Sequence, residues 1–269
     1  MTVLLGQPIT NDAGRSPRRP PLPNSPASMA PGKSAAAAKE NASPGFVLSS
    51  NMDAALPAST RLRDVEEMEK EVEGFSEFVS AAELGNVAKV KTMIRCGADV
   101  NKPDGEGWTA LMAAAAEGHV EVIKALIYNP DIVVNATNPD QETALMRAVL
   151  AGHTDATKAL LGAPEMNVNC KTAMGKSALM IAAGCGLEGI TSALCVNEDL
   201  EANAVDSQGR TALIHACMGG HYKTALVLLV TDDLKVDAVD HDGQTALDYA
   251  TKYGHKDIVE LIEELKQEA

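Results

Sequence analysis

An all-α solenoid of stacked helix-turn-helix units joined by hairpin loops is the fold class that this sequence predicts, on three observations. A hydroxyl residue followed by Ala-Leu recurs at Thr109, Thr143, Ser177, Thr211 and Thr245, each 34 residues after the last. Nine residues after each anchor comes a glycine (Gly118, Gly152, Gly186, Gly220 and Gly254), and all but Gly186 are followed by histidine. The composition is 45% hydrophobic but only 3% aromatic, which suits helices whose backbones approach closely over Ala and Gly. A fixed period of this length marks a helical repeat array, in which each unit buries its apolar face only against its neighbours.

Residues 1–58 are rich in Pro, Ser, Ala and Asn and show no hydrophobic periodicity. They hold too little apolar surface to offset the entropy of ordering, so this stretch is expected to be a disordered tail. Pro17, Pro20 and Pro23 fall on one face of a polyproline II spacer. Within the tail Ser16-Pro17 has the form of a proline-directed phosphorylation site, and Lys39-Glu40-Asn41 resembles a short degron, so Ser16, Lys39, Glu40 and Asn41 are the candidate modification residues. Residues 59–75 change character. Leu62, Val65, Met68 and Val72 make one helical stripe, Ser59 or Thr60 can cap it, and Asp64, Glu66 and Glu67 suit its first turns. Its acidic polar face argues against a membrane-surface helix, so it is read as an N-terminal cap on the array.

The repeats are expected at 76–108, 109–142, 143–176, 177–210, 211–244 and 245–269. In each, a second helix carries a wide apolar stripe. In the second repeat it is Val122, Ile123, Leu126 and Ile127, and later repeats repeat the pattern down to Ile258, Val259 and Ile262. Glu263 replaces the last apolar position there and marks a C-terminal cap. The anchors, the small-residue runs, the Gly-His pairs and Gly97-Ala98-Asp99-Val100-Asn101 together resemble the ankyrin repeat, with six repeats of which two are caps. The sequence departs from that family's Thr-Pro-Leu-His start: the proline becomes Ala, and the histidine becomes Met or Ile in most repeats. Thr or Ser can still cap the helix, and Ala is the best interior helix former. Asn101, Asn135, Asn169, Asn203 and Asp237 share one repeat position, where side-chain hydrogen bonds across the hairpin base are expected.

The net charge of −14 is unevenly placed. The tail is slightly basic and the repeats carry the acidity, which repels phosphate backbones and argues against a nucleic-acid partner. Five cysteines, odd in number and without a Cys-x-x-Cys pair, fit a reducing intracellular compartment, cytoplasmic or also nuclear. No apolar run is long enough to span a bilayer, and Met1–Pro8 lacks the pattern of a secretory signal. His119, His153, His221 and His255 lie about a repeat apart and cannot converge on one ion, while His215, Cys217 and His221 point to different faces. No metal or other cofactor is expected. Neither a nucleophile elbow nor a phosphate loop appears, so catalysis is not expected either.

What the resemblance implies is protein recognition on the concave face, formed by the hairpin tips and the outer ends of the first helices. The residue before each anchor gives one column, including Trp108, Glu142, Lys176 and Arg210. The helix positions beside it add Met146, Arg147, Leu150, Met218 and Tyr253, and the hairpin tips add Met174 and Gln208. These are the candidate binding residues, and Trp, Met and Arg are types that anchor interfaces. Lys176 and Arg210, a basic pair on an acidic body, predict a partner segment that is partly acidic and partly apolar. The expected protein is a monomer when unbound, acting as an adaptor or inhibitor. The alternative is an assembly chaperone or structural subunit of a stable complex, its turnover controlled by the tail.

Overall fold

The computed structural model describes residues 77–231 and 233–268. The tail residues Ser16, Lys39, Glu40 and Asn41 and the predicted capping helix at 59–75 lie outside them. Twelve helices follow in pairs: residues 77–83 (α1) with Val87–Arg95 (α2), Ala110–Ala116 (α3) with Val120–Ile127 (α4), and Ala144–Leu150 (α5) with Thr154–Leu161 (α6). Then come Ala178–Gly184 (α7) with Glu188–Cys195 (α8), Ala212–Gly219 (α9) with Tyr222–Leu229 (α10), and Ala246–Tyr253 (α11) with Lys256–Glu268 (α12). Among the described residues no strand forms, only isolated antiparallel bridges between Lys171 and Ser177 and between Val239 and Thr245.

Each anchor hydroxyl starts a first helix by accepting the amide of the residue three places on. Thr109, Thr143, Ser177, Thr211 and Thr245 all do so, and Thr245 completes a capping box with Asp248. The first helices are thin because nearly every face is covered: in α3 all residues from Ala110 to Ala115 are buried. The second helices bury one stripe. Leu126, Leu160, Leu194, Leu228 and Ile262 form a fully buried column at 0% exposure, where truncation of one leucine to alanine costs about 2–5 kcal/mol. The fourth position of each predicted stripe (Ile127, Leu161, Cys195 and Leu229) is only half-buried, and Glu263 is exposed.

The Gly-His pairs join one repeat to the next. Gly85, Gly118, Gly186 and Gly220 have positive φ, and a Cβ on any of them would lie 2.5–2.8 Å from an imidazole of the following repeat. Three of these rings then reach a main-chain carbonyl: His119 Nε2 lies 2.8 Å from Glu83 O, His153 Nε2 3.1 Å from Ala116 O and His221 Nε2 3.0 Å from Gly184 O, whereas His255 Nε2 over Gly220 is buried without a partner among the described residues. Leu187 holds the place after Gly186, and a Cβ built on Gly152 would meet only its methyl, at 3.8 Å.

The asparagine column also ties repeats together, and here the expected geometry is corrected. Asn101 does not close its own hairpin. Its Nδ2 donates to Asp131 O and its Oδ1 accepts from Val133 N, both in the loop of the next repeat. Asn135, Asn169 and Asn203 repeat both bonds one repeat on. A side-chain amide carries a donor and an acceptor and so can bind both groups of that loop. Asp237 ends the series in an ion pair with Lys266.

Hairpin tips form a third link. Ala173 N donates to Asp140 O, Ser207 N to Met174 O and His241 N to Gln208 O, at 3.0–3.1 Å. The equivalent donor in the second hairpin is Pro139, which has no N–H and instead packs its ring over Gly107. Beside it Gln141 takes the left-handed conformation, φ 59°, that Gly107, Gly175, Gly209 and Gly243 take in the other hairpins.

Gly220→Ala and Gly97→Ala separate the two costs of a left-handed glycine. Gly97 has φ 85° with open space around its Cβ position, whereas Gly220 has φ 69° and an imidazole at 2.5 Å. Both variants should be less stable by about 1 kcal/mol from conformation. Gly220→Ala should lose at least about 1 kcal/mol more from the clash with His255, a difference to be read from urea-unfolding midpoints.

Candidate protein-binding face

The concave face is laid out by a hairpin residue five places before each anchor: Asp104, Asn138, Thr172, Asp206 and Asp240. Each accepts the amide of the residue just before the anchor, namely Trp108, Glu142, Lys176, Arg210 and Gln244. These bonds fix the direction in which that column leaves the hairpin. The residue four places after the anchor faces the same hairpin from the first helix, and in three repeats it completes a polar network.

In the fourth hairpin Asp206 Oδ2 accepts from Arg210 Nε at 3.1 Å, Arg210 Nη2 at 2.9 Å and His215 Nε2 at 2.9 Å, while Oδ1 takes the Gln208 and Arg210 amides. Burial of Asp206 opposes its charge. The hydrogen bonds from His215, from the Arg210 and Gln208 amides and from the Arg210 side chain outweigh it and hold the carboxyl far below the usual range. Burial, assisted by the nearby charges of Arg210 and Lys176, also holds His215 below its ordinary value against the opposing pull of Asp206, so it stays neutral and donates Nε2–H to Asp206. In the fifth hairpin Tyr249 donates to Asp240 Oδ2 at 2.6 Å, and that bond together with burial pushes the phenol up to about 12. The second hairpin uses Glu142, whose Oε2 accepts from Asn138 Nδ2 at 3.1 Å and Arg147 Nη1 at 3.2 Å. Arg147 then stacks its guanidinium 4.3 Å above the Trp108 ring.

The candidate residues divide accordingly. Met146 is 1% exposed, because the third position of a capped helix turns into the core, and it is no contact residue. Glu142, 6% exposed, is likewise removed from any surface and serves to position Arg147. Trp108 is half-buried, its ring packed on the core and covered by Arg147. Arg210 is mostly spent on Asp206. What remains presented is Met174 at 67% exposure, exposed Gln208, half-buried Lys176, Leu150 and Met218, and Tyr253 at 48%. Lys176 has no ion-pair partner among the described residues. Tyr253 stacks on Tyr249 with centroids 6.2 Å apart, and Lys252 lies over both rings.

Sequence reasoning passed over Asp206, His215 and Tyr249. The signal was present, since Asp206 and Asp240 share the 34-residue register, but their role depends on a side-chain meeting that spacing alone does not show. Cys217 is pushed up to about 12 by burial, and burial also raises Cys170, Cys185 and Cys195, so none of these four is an activated thiolate. Among the described residues no group of three or more His, Cys, Asp or Glu side chains could hold a metal, and no helix is long and apolar enough to cross a membrane.

Acid should destabilise the fold in two separate steps. The unfolded chain protonates His215 near pH ~6.5 while the folded chain resists, so stability falls as pH drops below that value. Asp206 contributes stability that is complete above the ordinary carboxylate range and is lost as pH falls through and below it. Thermal melts from pH 8 to 3 should show both steps, and His215→Gln should flatten the upper one while leaving the lower.

A family model for ankyrin repeats, in three copies, matches overlapping stretches at residues 78–172, 131–204, 158–240 and 179–268. None of the curated proteins matches the sequence. Among solved structures, EF0377, an ankyrin repeat protein, superposes with a TM-score of 0.65 at 24% identity, over 70% of this chain and 97% of its own. The ankyrin repeat domain of Bcl-3, a member of the IkappaB protein family, gives 0.64 at 22% identity, over 70% and 84%. A chain of the Bdellovibrio bacteriovorus predatory endopeptidase Bd0816 in complex with immunity protein Bd3460 gives 0.61 at 29% identity, over 70% and 96%. With the family model matching without a break from residue 78 to residue 268, this chain belongs to the ankyrin repeat family.

Proposed function

We propose that this chain is a non-enzymatic binding module that holds a segment of another protein, partly acidic and partly apolar, along the concave row between Trp108 and Tyr253. Lys176 is the observation that carries the reading. Its amide is fixed by Thr172 Oγ1 at 3.2 Å, its ammonium has no carboxylate partner among the described residues, and Leu150, Met174 and Met218 present apolar surface in the neighbouring positions. A lysine beside apolar anchors discriminates for a carboxylate flanked by apolar side chains. Arg210 supports the site differently, since its charge is balanced by Asp206 and its guanidinium edge forms part of the wall.

The inhibitor form of this reading is favoured over a structural subunit by the similarity, at 29% identity, to a chain from a complex between an endopeptidase and an immunity protein. An acidic chain, net −14, is poorly suited to a nucleic-acid partner.

Affinity capture with the full chain as bait tests the reading, with Lys176→Glu as the comparison because Arg210→Glu would also break the Asp206 network. Lys176→Glu should weaken capture of the main partner by at least about tenfold with an unchanged melting temperature. The bound partner should also shield Cys185, exposed on this face, from alkylation while leaving exposed Cys96 reactive. Equal capture by both baits together with an unshielded Cys185 would place the binding surface elsewhere.

A further inference from the structure

Seven residues after each anchor, the first helices carry Ala116, Leu150, Gly184, Met218 and Lys252 in successive repeats. Gly184 is the odd member. It closes α7 as an ordinary helical residue and is absent from the glycines with positive φ, so the backbone does not require it. A Cβ built there would meet nothing nearer than His215 at 3.9 Å. Its carbonyl does accept from His221, but Glu83 and Ala116 accept the same bond in other repeats with their side chains in place. Gly219 makes the contrast, because a Cβ there would lie 2.5 Å from the His221 ring. A glycine within a helix costs about 0.5–1 kcal/mol against alanine, and nothing in the packing around Gly184 offsets that cost.

What the missing side chain creates is a gap in the concave row. Leu150 and Met218 stand one repeat to either side, both half-buried and packed on the core, and Ile181 lies one turn back on α7. Adjacent helices sit roughly 8–10 Å apart, so a side chain seated over Gly184 would lie between Leu150 and Met218. Lys176 stands just before the anchor of the same repeat, its amide held by Thr172, so its side chain leaves the hairpin of the repeat that carries Gly184.

Resting on the binding face proposed above, we infer that the gap over Gly184 is the pocket that receives one large apolar side chain, aliphatic or aromatic, of the bound protein segment. Lys176, in the hairpin of the same repeat, selects segments in which a carboxylate lies within a few residues of that side chain.

The test uses the full chain to select from a displayed random dodecapeptide library, followed by fluorescence-polarisation affinities of the enriched peptides for the wild type, Gly184→Ala, Gly184→Leu and Lys176→Glu. Enriched peptides should carry Leu, Ile, Met, Phe, Tyr or Trp close to Asp or Glu. Gly184→Leu should lose at least about tenfold, Gly184→Ala less, and both should melt at or above the wild-type temperature. Binding to Gly184→Leu that matches the wild type, with loss in Lys176→Glu, overturns the pocket while sparing the concave-face reading. Unchanged binding to all three variants overturns both. Retained folding in Gly184→Ala keeps the comparison valid if the leucine variant misfolds.

Discussion

A glycine at positive φ and an imidazole from the next repeat share the space that a Cβ would otherwise fill, and the stacking distance of the array follows from that contact. The ring lies against Gly85, Gly118 or Gly186 and reaches a carbonyl two residues before it, so one histidine both spaces and bonds two repeats. A repeat of this kind has no independent core; its apolar stripe is completed only by the neighbour that the contact brings in. The asparagine column and the tip-to-tip bonds act in the same direction. The asparagines donate to and accept from the loop of the next repeat, and at the tips the later repeat's amide donates to the earlier repeat's carbonyl, so main-chain groups left open by the loops are satisfied between repeats instead of within them.

The binding face inherits this regularity and then departs from it. Hairpin residues such as Asp104, Asn138 and Asp240 close their own turns through the same two amides, which holds the column before each anchor in register. The differences between repeats lie in what the remaining polar atom meets. In one repeat it is an Arg and a neutral His, in another a Tyr, and in a third a Glu–Arg pair covered by Trp. Three rigid, partly buried networks therefore frame the central repeat, where Thr172 leaves Lys176 uncommitted. Rigidity on both sides and a free charge between them lowers the ordering cost of gripping a flexible segment.

The fold was legible because a helix cap, a left-handed glycine and a small-residue run each leave a mark in one residue type, and those marks recurred every 34 residues. The binding face was legible only in part. The column places Lys176 and Arg210 at the hairpin, but one position along the helix separates Met146, which turns inward, from Arg147, which turns toward the hairpin. Glu142 shares its column with Lys176 and yet is buried, because Arg147 draws its carboxylate down onto Asn138. Register fixes where a backbone position lies. Whether its side chain is spent inside the protein depends on partners elsewhere in the repeat, and the period carries no record of those.

Pro139 has a mechanical consequence for the array. From the second hairpin onward, successive tips are joined by main-chain hydrogen bonds through Ala173, Ser207 and His241. Between the first and second tips the donor is missing, and the side-chain stack of Arg147 on Trp108 spans that joint instead. Main-chain bonds couple hairpins stiffly, whereas a cation over a ring slides with little change in energy. The joint at the Trp108 end thus lacks the main-chain tie that couples the tips toward Tyr253, so the segment proposed to bind there would meet a more compliant surface at one end than at the other.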